Sequence, residues 1–393
     1  MTRYLTLFEK KYAVFLKDTF KKGTICAFLA ICSFSTILSC HNALPFHEES
    51  EDPKFSLNLA SGVDTSIWNF EVGNRAIIDQ SMFSMPDSGY FPDGNISVVE
   101  LDGEYYAFWA NYRNYRSVAN SPFLEDHVGQ LNPSIPVFGG RTDNNGPSNG
   151  FYDGGMWLIG VRELLDGRLV GFFHAESHWY PRSTQGWMAY KSIGVAYSSN
   201  KGMSWGTPHL ILRHELAKDT IPKWSGLGDG CVIFNHLNNK YYCFYTPAIG
   251  ATAISMASTT DPNGYIGSWK KWYNGSFSEA PIGGKESPLS PLSQKPGANP
   301  AVHWNDFLGK FVMVWHGWDG KIYISASEDC ENWEIPRLLL EDGDKAWYPN
   351  MIGYSSVEGG QQMKLYYSYD FQDDGRRKMA YREVVFSKNY YRK

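Results

Sequence analysis

Asp229-Gly-Cys-Val-Ile-Phe-Asn-His-Leu-Asn-Asn-Lys-Tyr-Tyr-Cys-Phe-Tyr245 reads as a hairpin. An Asp-Gly start leads into a strand-like run, a polar turn at Asn238-Asn239 follows, and a second run is rich in aromatics. Other stretches look like copies of it. They are Asp93-Gly-Asn-Ile-Ser-Val-Val-Glu-Leu-Asp-Gly-Glu-Tyr-Tyr-Ala-Phe-Trp109, Asp153-Gly-Gly-Met-Trp-Leu-Ile-Gly-Val161 with Gly167-Arg-Leu-Val-Gly-Phe-Phe173, and Asn299-Pro-Ala-Val-His-Trp-Asn-Asp-Phe-Leu-Gly-Lys-Phe-Val-Met-Val-Trp315. A weaker fifth runs from Pro349-Asn350 to Ser368. In three of them an aromatic (Tyr105, Tyr241, Phe311) stands 12 residues after the leading residue. The leads at 93, 153, 229, 299 and 350 recur every 51–76 residues. Hairpins repeating at this period predict an all-β chain, a five-bladed β-propeller with one four-stranded antiparallel sheet per blade, over 56–393.

Composition agrees. The 14 Trp, 25 Tyr, 23 Phe and 38 Gly of the 393 residues suit short strands and tight turns, and no long helical periodicity competes. A formal net charge of −5 without a basic block argues against a nucleic-acid partner. Within 56–88, Ala76-Ile77-Ile78 is a strand candidate of the kind that completes a last blade and closes a ring.

Residues 1–39 read as a lipoprotein signal peptide. Lys21-Lys22 precedes an apolar run, Thr24–Leu38, too short to span a bilayer comfortably. Ile37-Leu38-Ser39-Cys40 resembles a lipobox, which makes Cys40 the lipidation site and places the protein in a bacterial cell envelope, anchored to a membrane by that lipid. Residues 40–55 are acidic and polar and read as a flexible tether. Cys231, Cys243 and Cys330 remain, an odd number, and are expected as buried free thiols.

Two segments, Ser198-Ser-Asn-Lys-Gly-Met-Ser-Trp205 and Ser327-Glu-Asp-Cys-Glu-Asn-Trp333, resemble Asp-box turns. Their polar side chains should bond backbone N–H groups within the turn and their Trp should pack between blades. They carry no chemistry in this reading.

In a propeller the innermost strands run the same way along the axis, so equivalent residues ring one mouth. Here that ring is expected to hold Asp93, Asp153, Asp229, Asn299 and Asn350. Second strands return to the same rim and bring His174, Glu176 and His178, and His316 with Trp318. Converging carboxylates repel one another, so at least one should keep its proton and their titrations should couple. Carboxylates with environments pushed apart are what glycoside hydrolysis uses. Trp109, Trp157, Trp179, Trp318 and Tyr348 are expected as sugar-stacking rings, with His303 as a further polar contact. No cofactor is required, although carboxylates and carbonyls at an axial mouth are ligands suited to Ca²⁺.

Asp93 with its strand, Asp102-Gly103 and Tyr105-Tyr106 resembles the opening of family 43 glycoside hydrolases, and the Asp229 stretch resembles their central Asp segment. These enzymes, with families 32, 62, 68 and 117, are five-bladed propellers acting on polysaccharides. The resemblance implies a general base or nucleophile at Asp93 and a positioning, pKa-tuning carboxylate at Asp229, a task shared with Asp153. It departs at the acid, where this chain has Asn299-Pro300. Glu176 takes that role in the preferred reading, with Glu286, or a histidine (His303 or His316, as in family 117), as the other choices. The expected function is a glycoside hydrolase of extracellular glycans; the alternatives are a glycan-binding propeller, a lyase or a phosphorylase.

Overall fold

The computed structural model describes residues 68–79, 91–111, 113–127, 138–140, 150–178, 189–218, 225–248, 253–342, 346–370 and 376–388. All lie in the unit Thr65–Lys393. The signal segment, Cys40, the 40–55 tether and Trp179 lie outside the described residues.

Among the described residues the strands form five antiparallel meanders. The first runs Ser97–Leu101, Glu104–Asn111, Arg113–Ala119, Phe138–Gly140. The second runs Gly155–Glu163, Leu169–His178, Ala189–Ser198, His209–Arg213, and the third Ser225–Asn235, Lys240–Pro247, Ser255–Thr259, Lys270–Tyr273, Ser276–Glu279. The fourth is Gly297–Asn305, Lys310–Gly317, Ile322–Ser327, Arg337–Leu340. The fifth takes Trp347–Ile352, Gln362–Tyr369 and Lys378–Lys388, and its outer strand is Trp68–Val72 from the other end of the chain. Ala76–Ile77 also pairs with Lys378–Lys388, so the expected closing segment does pair with the last meander.

The expected uniform sheets are not found. The second and third meanders join through a short parallel contact, Ser225 with Tyr190 and Gly226 with Lys191, giving one nine-stranded sheet. The approach is close because Gly226, at φ +89°, has no side chain: a Cβ there would overlap the Lys191 backbone.

Alternating apolar residues place each core between meanders. Phe108 and Tyr106 meet Leu158 and Phe173; Phe172 and Ile159 meet Leu227 and Tyr241; Phe244 and Ile233 meet Met313 and Val302. Val312 and Val314 meet Leu365, Tyr367 and Trp68, while Ile352 and Tyr366 return to Val98 and Trp109. Consecutive meanders share each cluster, and the last joins the fifth to the first. Trp109 is therefore core, stacked on Tyr115 at 4.8 Å, and not a ring at the mouth.

The Asp-box turns behave as read. Ser327 Oγ accepts the Cys330 N–H, Asp329 Oδ1 accepts those of Glu331 and Asn332, and Trp333 packs edge-on against Phe244 of the preceding meander. Trp205 packs likewise on Phe108. The three described cysteines are free and buried; Cys231 faces Phe244 across the hairpin, not Cys243.

Candidate functional site

The first strands of the meanders end on one cavity of about 330 Å³. Asp93, Trp157, His174, Glu176, Asp229, Asn299, Trp318 and Tyr348 all line it, as the ring argument requires. Lys191 and Trp347 line it too, and Arg377 reaches it through Asp93.

A repeated irregularity aims these side chains. Register slips between Gly228 and Cys231, between Ala298 and Ala301, and between Trp347 and Asn350. The residue that enters each bulge, Asp229, Asn299 or Tyr348, has φ of +48°, +53° or +50° and lines the cavity. Bulges of this kind re-aim a side chain beside functional sites. The common 12-residue spacing misaligned the first meander. Its hairpin turn is two residues shorter, since Leu101 pairs with Glu104 whereas Asn235 pairs with Lys240 and Asn305 with Lys310. Six residues back from those strand ends stand Asn95, Asp229 and Asn299. Asp93 lies two residues earlier and still reaches the cavity.

Each carboxylate has its own partner. Arg377 Nη2 lies 2.5 Å from Asp93 Oδ1, and the Trp157 indole N–H donates to Asp93 Oδ2 at 3.0 Å. The Lys191 ammonium donates to Asp229 Oδ2. Glu176, 7 % exposed, faces Lys191 across the sheet and takes a hydrogen bond from His174 Nε2 at 3.3 Å. The histidine tautomer follows from its other side: the Asp229 backbone N–H can only donate, and it does so to His174 Nδ1 at 3.0 Å. The proton is therefore on Nε2.

Burial opposes ionisation of Asp229, but the Lys191 charge, aided by His174, outweighs it and holds this carboxyl well below the usual range. Burial likewise opposes charge on Lys191, and the attraction of Asp229, Glu176 and Asp93 more than offsets it, so its pKa rises. At Asp229, pairing with a cation therefore outweighs the repulsion expected between neighbouring carboxylates.

Several expected members sit elsewhere. Asp153 stays in a turn before its strand, where the Gly155 N–H donates to Tyr152 O at 3.1 Å, and it does not line the cavity. Asn350 bridges meanders: its Oδ1 accepts the Ile96 N–H at 3.0 Å while its Nδ2 donates to Tyr348 O. Tyr348 occupies the ring place assigned to Asn350. His303 is 1 % exposed and away from the cavity, and burial lowers its pKa to about 3. His316 lies behind the wall, stacked on Trp347 at 4.5 Å; burial lowers it to about 3, against a weaker pull from Asp229. Neither imidazole is charged at neutral pH, so neither serves as an imidazolium acid. Glu286 is buried against Lys271 and His214, apart from the cavity. His178 ends its strand, Leu169–His178.

Lys191 and Arg377 escaped the sequence reading. Lys191 had a signal: it is the one charged residue of Ala189–Ser198, whose strand is otherwise apolar or small. A charge in a strand buried on both faces requires a partner. Among the described residues no group of three or more His, Cys, Asp or Glu is placed to hold a metal ion.

No protein-family model matches the chain, and no curated protein does. Solved structures are similar to it at low identity. The GH43_1 enzyme from Xanthomonas citri aligns at 12 % identity and TM-score 0.48, over 79 % of this chain and 89 % of that one. An exo-β-1,3-galactanase from Clostridium thermocellum aligns at 13 % and 0.47, over 79 % and 61 %. The catalytic domain of the Coprinopsis cinerea GH62 α-L-arabinofuranosidase aligns at 9 % and 0.47, over 81 % and 97 %.

Proposed function

We propose that the chain is a five-bladed β-propeller that hydrolyses glycosidic bonds. The cyclic order of the five core clusters supports the closed wheel. One observation carries the chemistry: Asp93, Glu176 and Asp229, from three meanders, share a cavity walled by Trp157, Trp318, Trp347 and Tyr348. Carboxylates stabilise an oxocarbenium-like transition state, and indole and phenol faces stack on sugar rings.

In this reading Asp93 activates water toward the anomeric carbon or attacks that carbon itself. Asp229, kept anionic by Lys191, stabilises positive charge as it develops. Glu176 accepts from His174 and stands opposite Lys191 across the sheet, so this reading gives it the task of holding those two side chains in place and leaves the acid to another group. The lipobox-like Ile37-Leu38-Ser39-Cys40 supports an envelope lipoprotein; labelling with a fatty-acid probe that Cys40→Ser abolishes would test this.

The experiment is turnover of a panel of plant, algal and host glycans by the wild type and Asp93→Asn. The reading requires reducing ends from the wild type, and loss of turnover with retained sugar binding in the variant. Sugar binding without turnover in the wild type would indicate a lectin. An unsaturated product absorbing in the ultraviolet would indicate a lyase, and dependence on phosphate a phosphorylase.

A further inference from the structure

The polar groups of the cavity fall into two sets. Asp93, Asp229 and Glu176 are each engaged by a cation or an N–H donor, as are the groups that hold them. The Tyr348 hydroxyl and the Asn299 amide, in contrast, make no hydrogen bond with any described residue although both side chains line the cavity, and of these two groups the phenol is the one with a proton to give. The ring itself is fixed: Trp347 lies at 6.1 Å, His316 at 6.3 Å, and the Arg377 guanidinium carbon at 5.0 Å from its centroid.

The backbone marks the same residue. Among the described non-glycine residues with left-handed φ, Tyr348 is the one aromatic; most of the others are Asp and Asn, which tolerate that region. A bulky side chain held there is a strained arrangement, and such strain collects at functional sites. The position is also the one from which Asp229 and Asn299 enter the cavity.

We propose that Tyr348 is the general acid of this site, giving its phenolic proton to the glycosidic oxygen as the bond to the anomeric carbon breaks; this rests on the hydrolase reading above. The bonding electron pair goes to that oxygen, which leaves as an alcohol. Water adds to the anomeric carbon and gives its proton to Asp93, and solvent then carries that proton back to the phenolate. Arg377 touches both ends of this exchange, binding the Asp93 carboxylate and lying over the Tyr348 ring. It faces one anion throughout: first the carboxylate, then the phenolate. Burial raises the Tyr348 phenol well above its ordinary value, Arg377 opposes that rise, and Asp93, Asp229 and Glu176 add to it. The proton is therefore in place at neutral pH.

The test compares Tyr348→Phe with the wild type on glycosides of whichever sugar the wild type cleaves, with two leaving groups. A 2,4-dinitrophenyl group departs without a proton; a methyl or sugar alcohol needs one. The variant should hold kcat/KM within about threefold on the dinitrophenyl glycoside and lose about 10²–10⁴-fold on the alkyl one, the usual range for a general acid. Equal losses on both, or no loss on either, would overturn the proposal. Should Tyr348→Phe not fold, 3,5-difluorotyrosine at position 348 keeps ring and hydroxyl; the alkaline limb of the rate profile must then move to lower pH, and an unmoved limb also refutes the role. A wild type inert toward every glycoside sinks the hydrolase reading, and this inference with it. A wild type that turns over while the variants fail these tests sinks the inference alone.

Discussion

Gly228 lies against the imidazole of His174 so closely that a Cβ on Gly228 would overlap Nδ1. The hydrogen bond that sets the histidine tautomer comes from the next residue, Asp229. Gly228→Ala should therefore push His174 off both Asp229 and Glu176. Misplacement by about 1 Å costs on the order of 10²-fold in rate. The expected outcome is a fall in kcat of that size with the melting temperature largely kept; an unchanged kcat would show that His174 positions nothing.

The Asp229–Lys191 pair sets an acid limit on stability. Despite the opposing effect of burial, Lys191 holds the folded-state carboxyl below its ordinary 3.8. A depressed carboxyl contributes stability above the unfolded pKa and loses it as pH falls through the folded one. Asp229→Asn lacks that contribution at every pH. Urea unfolding at pH 7 and pH 3 should show the gap between wild type and variant narrowing at pH 3, and a constant gap would contradict the pairing. Lys191→Met should cost roughly 2 kcal/mol at pH 7, below the ~3–5 kcal/mol of a fully buried pair because the Asp229 side chain is 29 % exposed.

Glu286 separates a structural acid from a catalytic one. Its partner Lys271 is fully buried and also donates to Gly284 O at 2.8 Å. Glu286→Gln strands that ammonium, and stability should fall by about 3–5 kcal/mol. Turnover measured below the lowered melting temperature should match the wild type; a large loss there would restore Glu286 as a candidate acid.

Trp68 fastens the outer strand of the fifth meander. Its indole N–H donates to Glu334 Oε2 at 2.8 Å and Arg337 lies 4.6 Å over its ring. Trp68→Ala should lower unfolding free energy by about 3–5 kcal/mol, as for other buried Trp truncations. A loss below 1 kcal/mol in urea titration would mean that this strand adds little to the fifth meander.

Repetition made most of the architecture readable. Hairpins that differ only in their turns announce themselves in composition, and Asp93, Trp157, Glu176, Asp229 and Asn299 were found through it. What failed were offsets of one or two residues. Asn350 and Tyr348 are two apart, and only the bulge decides which enters the cavity. Asp153 carries the same Asp-Gly signature as Asp229 yet stays in a turn, because backbone register is not written in side-chain identity. Arg377 belongs to no repeat element and meets Asp93 from 284 residues away, a pairing that only folding creates.

The seam between Trp68 and Lys388 joins residues about 320 positions apart. At roughly 5–20 residues per second, translation takes on the order of 15–60 s to deliver the second partner after the first. Throughout that interval the early strand has an open edge and a bare indole, the kind of surface on which nascent chains stick to one another. Once zipped, Trp68 and Lys388 stand side by side, so a pull on the backbone at Trp68 loads this lock before the strands further along the chain.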